Sequence, residues 1–139
     1  MKKIISVLCI ILACSFCFSS CGKDNPSDLW SDALYQENTS IGSGDVTVTI
    51  DVTAGDKTVV FTVNTNAKTL GDALTENKLV SGDNGAYGLY IKSVNGIEAD
   101  YDKNGAYWSV TKDGEYLSSG VDSINISDGD HYELTYTKA

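Results

Sequence analysis

Strict alternation of β-branched and polar residues over positions 46–52 constrains the fold of this chain more than any other feature. The run reads Val-Thr-Val-Thr-Ile-Asp-Val. Because successive side chains of a strand point to opposite faces, this pattern predicts a strand with one buried face. Residues 53–56 have the composition of a turn and residues 58–63 that of a returning strand, so together they predict a hairpin.

A short helix is predicted after this hairpin. Thr69 and Asp72 have the spacing of a capping box, and Leu70, Ala73 and Leu74 fall on one helical face. We expect the helix to run to about residue 78, with a glycine at position 82 helping to stop it.

The remainder of the chain has strand-like composition interrupted by turns. Strands are predicted at residues 87–94, 107–112 and 132–137, with a weaker one at 123–126. The dipeptides Asn95-Gly96, Asp113-Gly114 and Asp128-Gly129 are typical of turns. Two strands, one short helix and then several strands predict an α+β fold, a small β-grasp-like mixed sheet covered on one face.

The first 20 residues have the order of a bacterial export signal. Two lysines precede an apolar stretch over residues 4–18, and two serines lead to Cys21. This junction resembles a lipobox, the site at which a lipid is attached to cysteine. A second candidate ends at Cys14, but cleavage there would shorten the apolar stretch and leave apolar residues on the mature chain. We therefore expect a lipoprotein signal peptide at 1–20 and lipidation at Cys21.

Charge and cysteine usage narrow the function classes. All four cysteines lie at or before position 21, so the mature chain has no thiol for a disulfide, a metal site or catalysis. Removal of Lys2 and Lys3 leaves 8 lysines, no arginine and 19 acidic residues, a net charge of −11. We expect no nucleic-acid partner, because phosphate binding needs a basic surface. The expected location is the extracellular face of the cell membrane, with the membrane contacted through the lipid.

Composition divides the mature chain into two parts. Residues 21–44 contain the only proline and many small polar residues, which is typical of a lipidated tether. An apolar cluster at residues 29–35 interrupts it, either as a helical turn docked on the domain or as a patch in a flexible arm. Residues 45–139 are long enough for one hydrophobic core and predict a single domain.

Several segments of this domain are similar to the transcobalamin C-terminal-domain-like family. They are Thr-Leu-Gly-Asp-Ala-Leu at 69–74, Tyr-Ile-Lys-Ser-Val-Asn-Gly at 90–96 and Gly-Ala-Tyr-Trp at 105–108. Gly-Val at 120–121 and Ser-Asp-Gly-Asp at 127–130 fit the same family. The family occurs in bacterial surface lipoproteins of unknown function and as the smaller domain of the cobalamin carriers transcobalamin and intrinsic factor.

The resemblance covers most of residues 46–137 and implies a ligand site. In the carriers the small domain closes over cobalamin, with contacts from the stretch after the Tyr-Trp pair. Cobalamin is therefore a candidate ligand here, although no resident cofactor is expected. The implied ligand-binding residues are Tyr87, Tyr90, Tyr107, Trp108, Ser109, Val110, Thr111 and Gly120.

Each of these aromatic residues also has a structural interpretation. Tyr and Trp are ordinary strand residues as well as frequent contact residues. Tyr107 and Trp108 are adjacent, so one should face the core and the other outward. A Trp108 buried in the core would count against a ligand-binding module.

Metal and catalytic sites have weaker support. Residues 100–105 (Asp-Tyr-Asp-Lys-Asn-Gly) resemble the start of a calcium loop, but the twelfth position is Thr111 instead of glutamate. A plain turn is the better interpretation, and no metal site is predicted. His131 is the only histidine, and no nucleophile motif accompanies it. We therefore expect a protein that is not an enzyme.

Two hypotheses remain. The first is a cell-surface lipoprotein module that binds cobalamin, another corrinoid or a different small ligand by stacking and apolar contact. The alternative is a structural or adhesive surface module that contacts a protein or a cell-wall polymer. The first requires a concave apolar site near residues 108–111, whereas the second can use a flat aromatic face.

Overall fold

Residues 29–139 are described by a computed structural model, and the predictions for the signal peptide and Cys21 lie outside them. No helix in the described part of the chain is long and apolar enough to cross a membrane. Short 3-10 turns occupy Leu29–Asp32 and Val121–Ser123. The remaining elements, in chain order, are β1 (Thr39–Gly42), β2 (Val46–Ala54), β3 (Lys57–Thr65), α1 (Leu70–Glu76), β4 (Val80–Gly85), β5 (Gly88–Val94), β6 (Ile97–Glu98), α2 (Tyr101–Asn104), β7 (Ala106–Lys112), β8 (Glu115–Tyr116) and β9 (His131–Lys138).

The larger sheet has the strand order β1-β3-β2-β9-β7-β8. The predicted hairpin is confirmed, because β2 and β3 pair antiparallel along their whole length around a turn in which Gly55 has a φ of 63°. Strand β9 runs parallel to β2, and β1 runs parallel to β3, whereas the other neighbours are antiparallel. The predicted α+β class with a mixed sheet is confirmed, and the β-grasp arrangement stays a prediction.

Helix α1 begins as predicted and ends early. The hydroxyl of Thr69 accepts a hydrogen bond from the backbone N–H of Asp72 at 3.2 Å. The helix ends at Glu76, where Asn77 is the C-cap and Lys78 takes a φ of 58°. A left-handed residue cannot continue a right-handed helix, so the predicted extension to residue 78 is wrong.

A smaller sheet with the order β4-β5-β6 follows this helix. Gly82, the predicted helix stop, lies inside β4 beside a shift in the pairing register with β5. A Cβ at this position would come within 1.9 Å of the carbonyl oxygen of Tyr90. Gly82 therefore permits the close approach of the two strands, as glycine often does at a bulge.

The weak strand predicted at residues 123–126 is wrong. Its first residue ends the 3-10 turn Val121–Ser123, and Asn125 makes only an isolated bridge to Thr69. The Leu70 N–H donates to the carbonyl oxygen of Ile124 at 2.8 Å. The segment therefore crosses the start of α1, where it accepts a hydrogen bond from a free backbone N–H group of the helix, instead of running along a sheet.

The hydrophobic core lies between the large sheet, α1 and the small sheet. Val48, Ile50 and Val52 are fully buried, as the alternation predicts. Other fully buried members come from β3, α1 and β9, among them Phe61, Leu70, Leu74, Tyr132 and Leu134. Burial of such side chains supplies the main driving force for folding in a domain of this size.

Residues 29–42, here called the N-terminal strap, pack against both sheets. Trp30 is 7% exposed, and its indole N–H donates to the carbonyl oxygen of Ala54 at 2.9 Å. Leu34 donates to the backbone oxygen of Asn95 in the β5–β6 turn, and β1 pairs with β3. The apolar cluster at residues 29–35 is therefore docked on the domain, and the second half of the predicted tether belongs to the fold.

Candidate functional site

A groove of about 350 Å³ separates the two sheets where β5 and β7 approach each other. Three segments line it: residues 89–91 of β5, residues 107–110 of β7, and the chain from Tyr116 at the end of β8 through residues 117 and 119–121. Its rim carries Tyr90 and Tyr116, which are 48% and 79% exposed. A volume of this size lies at the lower end of the range for small-molecule sites.

The wall formed by β7 is an open strand edge. Strand β9 pairs with β7 along its full length on one side. On the other side, β8 pairs only with Thr111 and Lys112. Within residues 29–139, no strand is paired with this edge over residues 107–110. Open edges present unpaired backbone donors and acceptors, which a ligand or another chain can use.

The ladder to β9 identifies which backbone groups point into the groove. Ala139 donates to Gly105 and Asp113 donates to His131 at its two ends. In an antiparallel pair, alternate residues bond to the partner strand, so odd-numbered residues of β7 are directed toward β9. The N–H and C=O groups of Trp108 and Val110 therefore face the open edge.

Trp108 does not present its ring as an open stacking surface. It is 6% exposed, its indole N–H donates to the carbonyl oxygen of Ile97 at 3.1 Å, and its ring meets Tyr136 edge-on at 5.6 Å. The hydrogen bond and the burial make it part of the core beneath the groove. The stacking role expected of Trp108 is therefore wrong, and its burial counts against ligand binding through this ring. The side chain instead forms the floor of the groove.

The structure brings most of the other predicted site residues to this groove. Tyr90, Tyr107, Ser109, Val110 and Gly120 line it together with Trp108. Sequence reasoning missed Tyr116 and Leu117 as lining residues. The predicted Asp113-Gly114 turn could have located them, because a tight hairpin returns the chain along the same edge.

Two predicted residues lie elsewhere. Thr111 does not line the groove, and its hydroxyl donates to the carboxylate of Glu133. Tyr87 is 91% exposed at the β4–β5 turn and lines a neighbouring cavity that shares Gly120 with the groove. Thr111 is therefore not a groove residue, and Tyr87 belongs to a second depression.

A charged cluster surrounds His131 on the outer face of the large sheet. Its Nε2 atom lies 2.9 Å from Asp51 Oδ2, and its Nδ1 atom lies 3.5 Å from Glu133 Oε2 and 3.8 Å from Asp113 Oδ1. The hydrogen bond to Asp51 raises the pKa of His131 above its ordinary value, although partial burial lowers it. The charges of Glu133 and Asp113 also raise this pKa.

Asp130 and Tyr132 form a second polar pair near this cluster. The Tyr132 hydroxyl donates to Asp130 Oδ2 at 2.9 Å, and the Ser127 N–H donates to the same oxygen at 2.9 Å. Burial acts to raise the pKa of Asp130, but these hydrogen bonds and nearby Lys112 keep it below its ordinary value. Burial and the Asp130 carboxylate raise the pKa of Tyr132. The pair thus secures the start of β9.

The segment that resembles a calcium loop is a capped helical turn. Asp100 Oδ1 accepts hydrogen bonds from the N–H groups of Asp102 and Lys103 at the start of α2. Gly105 follows the helix with a φ of 66°. Among residues 29–139, no group of three or more His, Cys, Asp or Glu side chains is arranged to hold a metal ion.

Comparisons with known proteins identify relatives of this fold. The family "Domain of unknown function (DUF4430)" matches residues 67–138. A crystal structure of a Ruminococcus gnavus ATCC 29149 protein, provisionally described as metal-binding, is 38% identical with a TM-score of 0.64. That match covers 68% of this chain and 99% of the R. gnavus chain. The search of curated proteins found no match.

A more distant likeness joins this chain to haptocorrin. The crystal structure of haptocorrin in complex with Cbi is 23% identical with a TM-score of 0.54, which shows a common fold. The match covers 67% of this chain and 25% of that chain, so the likeness concerns one part of haptocorrin. Together with the family match, it supports the predicted transcobalamin-like domain. The chain belongs to the DUF4430 family.

Proposed function

We propose that this protein is a lipid-anchored, cell-surface module that binds a small ligand in the groove between β5 and β7. The observation that carries the proposal is the convergence of six of the eight predicted site residues on one concave site. They come from two strands and a loop that are distant in sequence. The proposal assigns binding and no catalysis, and the membrane contact is the lipid on Cys21.

The groove offers two kinds of contact. Tyr90 and Tyr116 provide rigid aromatic area with polar tips at the rim. The outward backbone groups of Trp108 and Val110 provide fixed hydrogen-bond donors and acceptors along the open β7 edge. Because Trp108 is held by Ile97 and Tyr136, it supports this wall from below. A ligand with flat apolar area and peripheral amides fits these contacts.

A corrinoid is the ligand class that we propose first, with another small ligand of similar shape as the broader possibility. Support comes from haptocorrin, which shares the fold and was crystallised in complex with Cbi. The fold assignment that accompanies this proposal is a β-grasp. The first hairpin, the following helix and the parallel pairing of β9 with β2 support that arrangement.

The alternative function is adhesion to a protein or cell-wall polymer. It is favoured by Tyr87 and Tyr116, which are 91% and 79% exposed and line neighbouring depressions that share Ser119 and Gly120. Highly exposed tyrosines suit a broad contact surface. In this alternative, the groove would be one part of a larger contact face.

Calorimetric titration with cobalamin and cobinamide tests the proposal. The exported chain, produced from residue 22 without lipid, should bind at least one of them saturably. Tyr116→Ala and Tyr90→Ala should each weaken binding about tenfold or more, the loss expected of central aromatic contacts. Tyr101→Ala is the matched control, because Tyr101 is 56% exposed on α2 and does not line the groove.

Two results would overturn corrinoid binding in the groove. One is the absence of heat with both ligands at about 1 mM, where even weak specific binding is measurable. With the fold intact by circular dichroism, this result favours the adhesive alternative. The other is equal affinity in Tyr116→Ala and Tyr101→Ala, which would place the bound corrinoid outside the groove.

A further inference from the structure

Two depressions lie on either side of Asp122, next to the groove. One, of about 490 Å³, lies between α1, β4 and Asp122. The other, of about 540 Å³, lies between the β4–β5 turn and the loop at residues 118–123. Because Asp122 lines both, the two depressions adjoin each other, and they are here together called the Asp122 trough.

The lining of the trough consists mainly of hydrogen-bond acceptors and hydroxyls. Carboxylates come from Asp72 and Asp122, and a side-chain amide comes from Asn84. Hydroxyl groups are contributed by Thr69, Thr75, Ser81, Ser118, Ser119 and Ser123. Within the described chain, no lysine or arginine lines either depression. Carboxylates only accept hydrogen bonds, whereas hydroxyls and amides both donate and accept, so a ligand rich in hydroxyl groups matches this lining.

Asp122 is held in a fixed position at the centre of the trough. Its Oδ2 atom accepts a hydrogen bond from the Leu89 N–H at 2.9 Å. A Cβ on Gly71 would come within 2.1 Å of Oδ1, and a Cβ on Gly88 would come within 2.9 Å of Oδ2. Glycine at these positions in two different elements therefore leaves room for the carboxylate where it lies. Because this acceptor is already held in place, little conformational entropy is lost when a ligand binds to it.

The Asp122 trough also has an aromatic side chain in its lining, that of Tyr87. It is 91% exposed at the turn beside the trough, although burial of a tyrosine ring is favourable. An exposed ring next to fixed acceptors is suited to a ligand with one apolar face and several hydroxyl groups. The C–H face of a pyranose ring has this character.

From these features we propose that the Asp122 trough is a second binding site, for a neutral polyhydroxylated ligand, namely a glycan. Anionic ligands are disfavoured by the two carboxylates and the net charge of −9 of the whole chain. A hard cation would require about six oxygen ligands, and the described side chains form no acidic group of three. Sugar hydroxyls donate to carboxylates and amides while one ring face stacks on Tyr87. This site adjoins the groove proposed for the small ligand, with which it shares Leu89, Ser119 and Gly120, but its carboxylates and Tyr87 do not line that groove.

Amide NMR titration of the exported chain from residue 22 tests this proposal. The probes are four neutral hexasaccharides, made from maltose, cellulose, mannan and chitin units, and an acidic hyaluronan hexasaccharide. At least one neutral probe should shift the amides of Gly71, Leu89 and Asp122, and the acidic probe should leave them unchanged. Tyr87→Ala and Asn84→Ala should each weaken the binding of that neutral probe about tenfold.

Two variants separate this site from the groove and from nonspecific contact. Tyr101→Ala removes an exposed tyrosine outside the trough, and Tyr116→Ala removes one at the groove. Both should retain full affinity for the neutral probe. The proposal fails if no neutral probe moves these amides at about 10 mM, the range of very weak binding. It also fails if Tyr87→Ala binds as tightly as the parent chain, or if the acidic probe binds equally well.

Discussion

The Nε2 atom of His131 lies 2.9 Å from Oδ2 of Asp51, and this contact joins the first residue of β9 to the middle of β2. The two strands are parallel neighbours, so the pair links chain segments that are far apart in sequence. Because Glu133 and Asp113 face the other ring nitrogen, the imidazolium is surrounded by three carboxylates. This arrangement has a measurable pH dependence.

We expect the pKa of His131, measured by NMR, to lie above 6.5 in the parent chain and to fall toward 6.5 in Asp51→Asn. Since the folded-state pKa is raised, the stabilisation is fully present below the ordinary value and disappears as pH rises through the folded value. The contribution should be modest, about 0.2–1 kcal/mol, because both side chains are partly exposed to solvent. Urea unfolding of the parent and His131→Gln measures it, and the two free energies should converge at about pH 9. A difference that grew with rising pH would contradict this linkage.

Removal of the N-terminal strap should destabilise the domain. A chain that begins at residue 45 loses β1 and the buried indole of Trp30, together with its hydrogen bond to Ala54. Trp30→Ala alone should lower the free energy of unfolding by about 3–5 kcal/mol, the usual cost for a buried aromatic side chain. Thermal and urea denaturation of chains that start at residues 22 and 45 make the comparison. Equal stability of the two chains would show that the strap does not stabilise the domain and serves only as a tether.

Variants of Asn95 can separate two contributions to stability, the left-handed backbone conformation of this residue and the hydrogen bonds of its side chain. It is fully buried with a φ of 52°, and its side chain donates to the Tyr35 oxygen and accepts from the Tyr35 N–H at 2.9 Å each. Asn95→Gly keeps the left-handed conformation available and removes the hydrogen bonds, whereas Asn95→Ala removes both. We expect Asn95→Ala to be the less stable variant, by about 1 kcal/mol in urea denaturation. The reverse order would show that the left-handed conformation contributes little.

Trp108→Phe should separate the support of the groove from ligand contact. The change keeps an aromatic ring in the core but removes the indole hydrogen bond to the carbonyl oxygen of Ile97. The free energy of unfolding should fall by about 1–3 kcal/mol, because a buried hydrogen bond and part of the buried ring volume are lost. Affinity for the ligand that binds the groove should remain within about threefold, since a change below 1 kcal/mol is expected for an indirect contact. A loss of binding without a loss of stability would show that the Trp108 side chain contacts the ligand directly.

Much of the fold was accessible from local patterns. The alternation over residues 46–52 predicted β2, and the capping box at Thr69 located the start of α1. The strap was not accessible in the same way, because its strand of four residues, Thr39–Gly42, has no apolar alternation of its own. Tertiary pairing with β3 makes it a strand, and context of this kind overrides propensity.

The candidate site was predicted in part for a similar reason. Residues 107–110 were identified, but the side on which Trp108 lies depends on which face of β7 meets the core. Adjacency to Tyr107 showed only that the two side chains point in opposite directions. The Asp122 trough was not predicted, since Gly71, Gly88 and Asp122 belong to α1, β5 and a 3-10 turn, which meet only in the folded chain.

The N-terminal strap has a mechanical consequence. The chain enters the described fold at Trp30, which contacts the large sheet, and continues past Asn95 to β1, which lies parallel to β3. A force applied to an anchored N-terminus would therefore act parallel to β1 and β3. All hydrogen bonds between these two strands would then bear the force at once, instead of breaking one after another. Single-molecule pulling from residue 22 should give a higher rupture force than pulling from residue 45. For a module held at a cell surface, the strap would act as a shear clamp that keeps both sheets joined under tension.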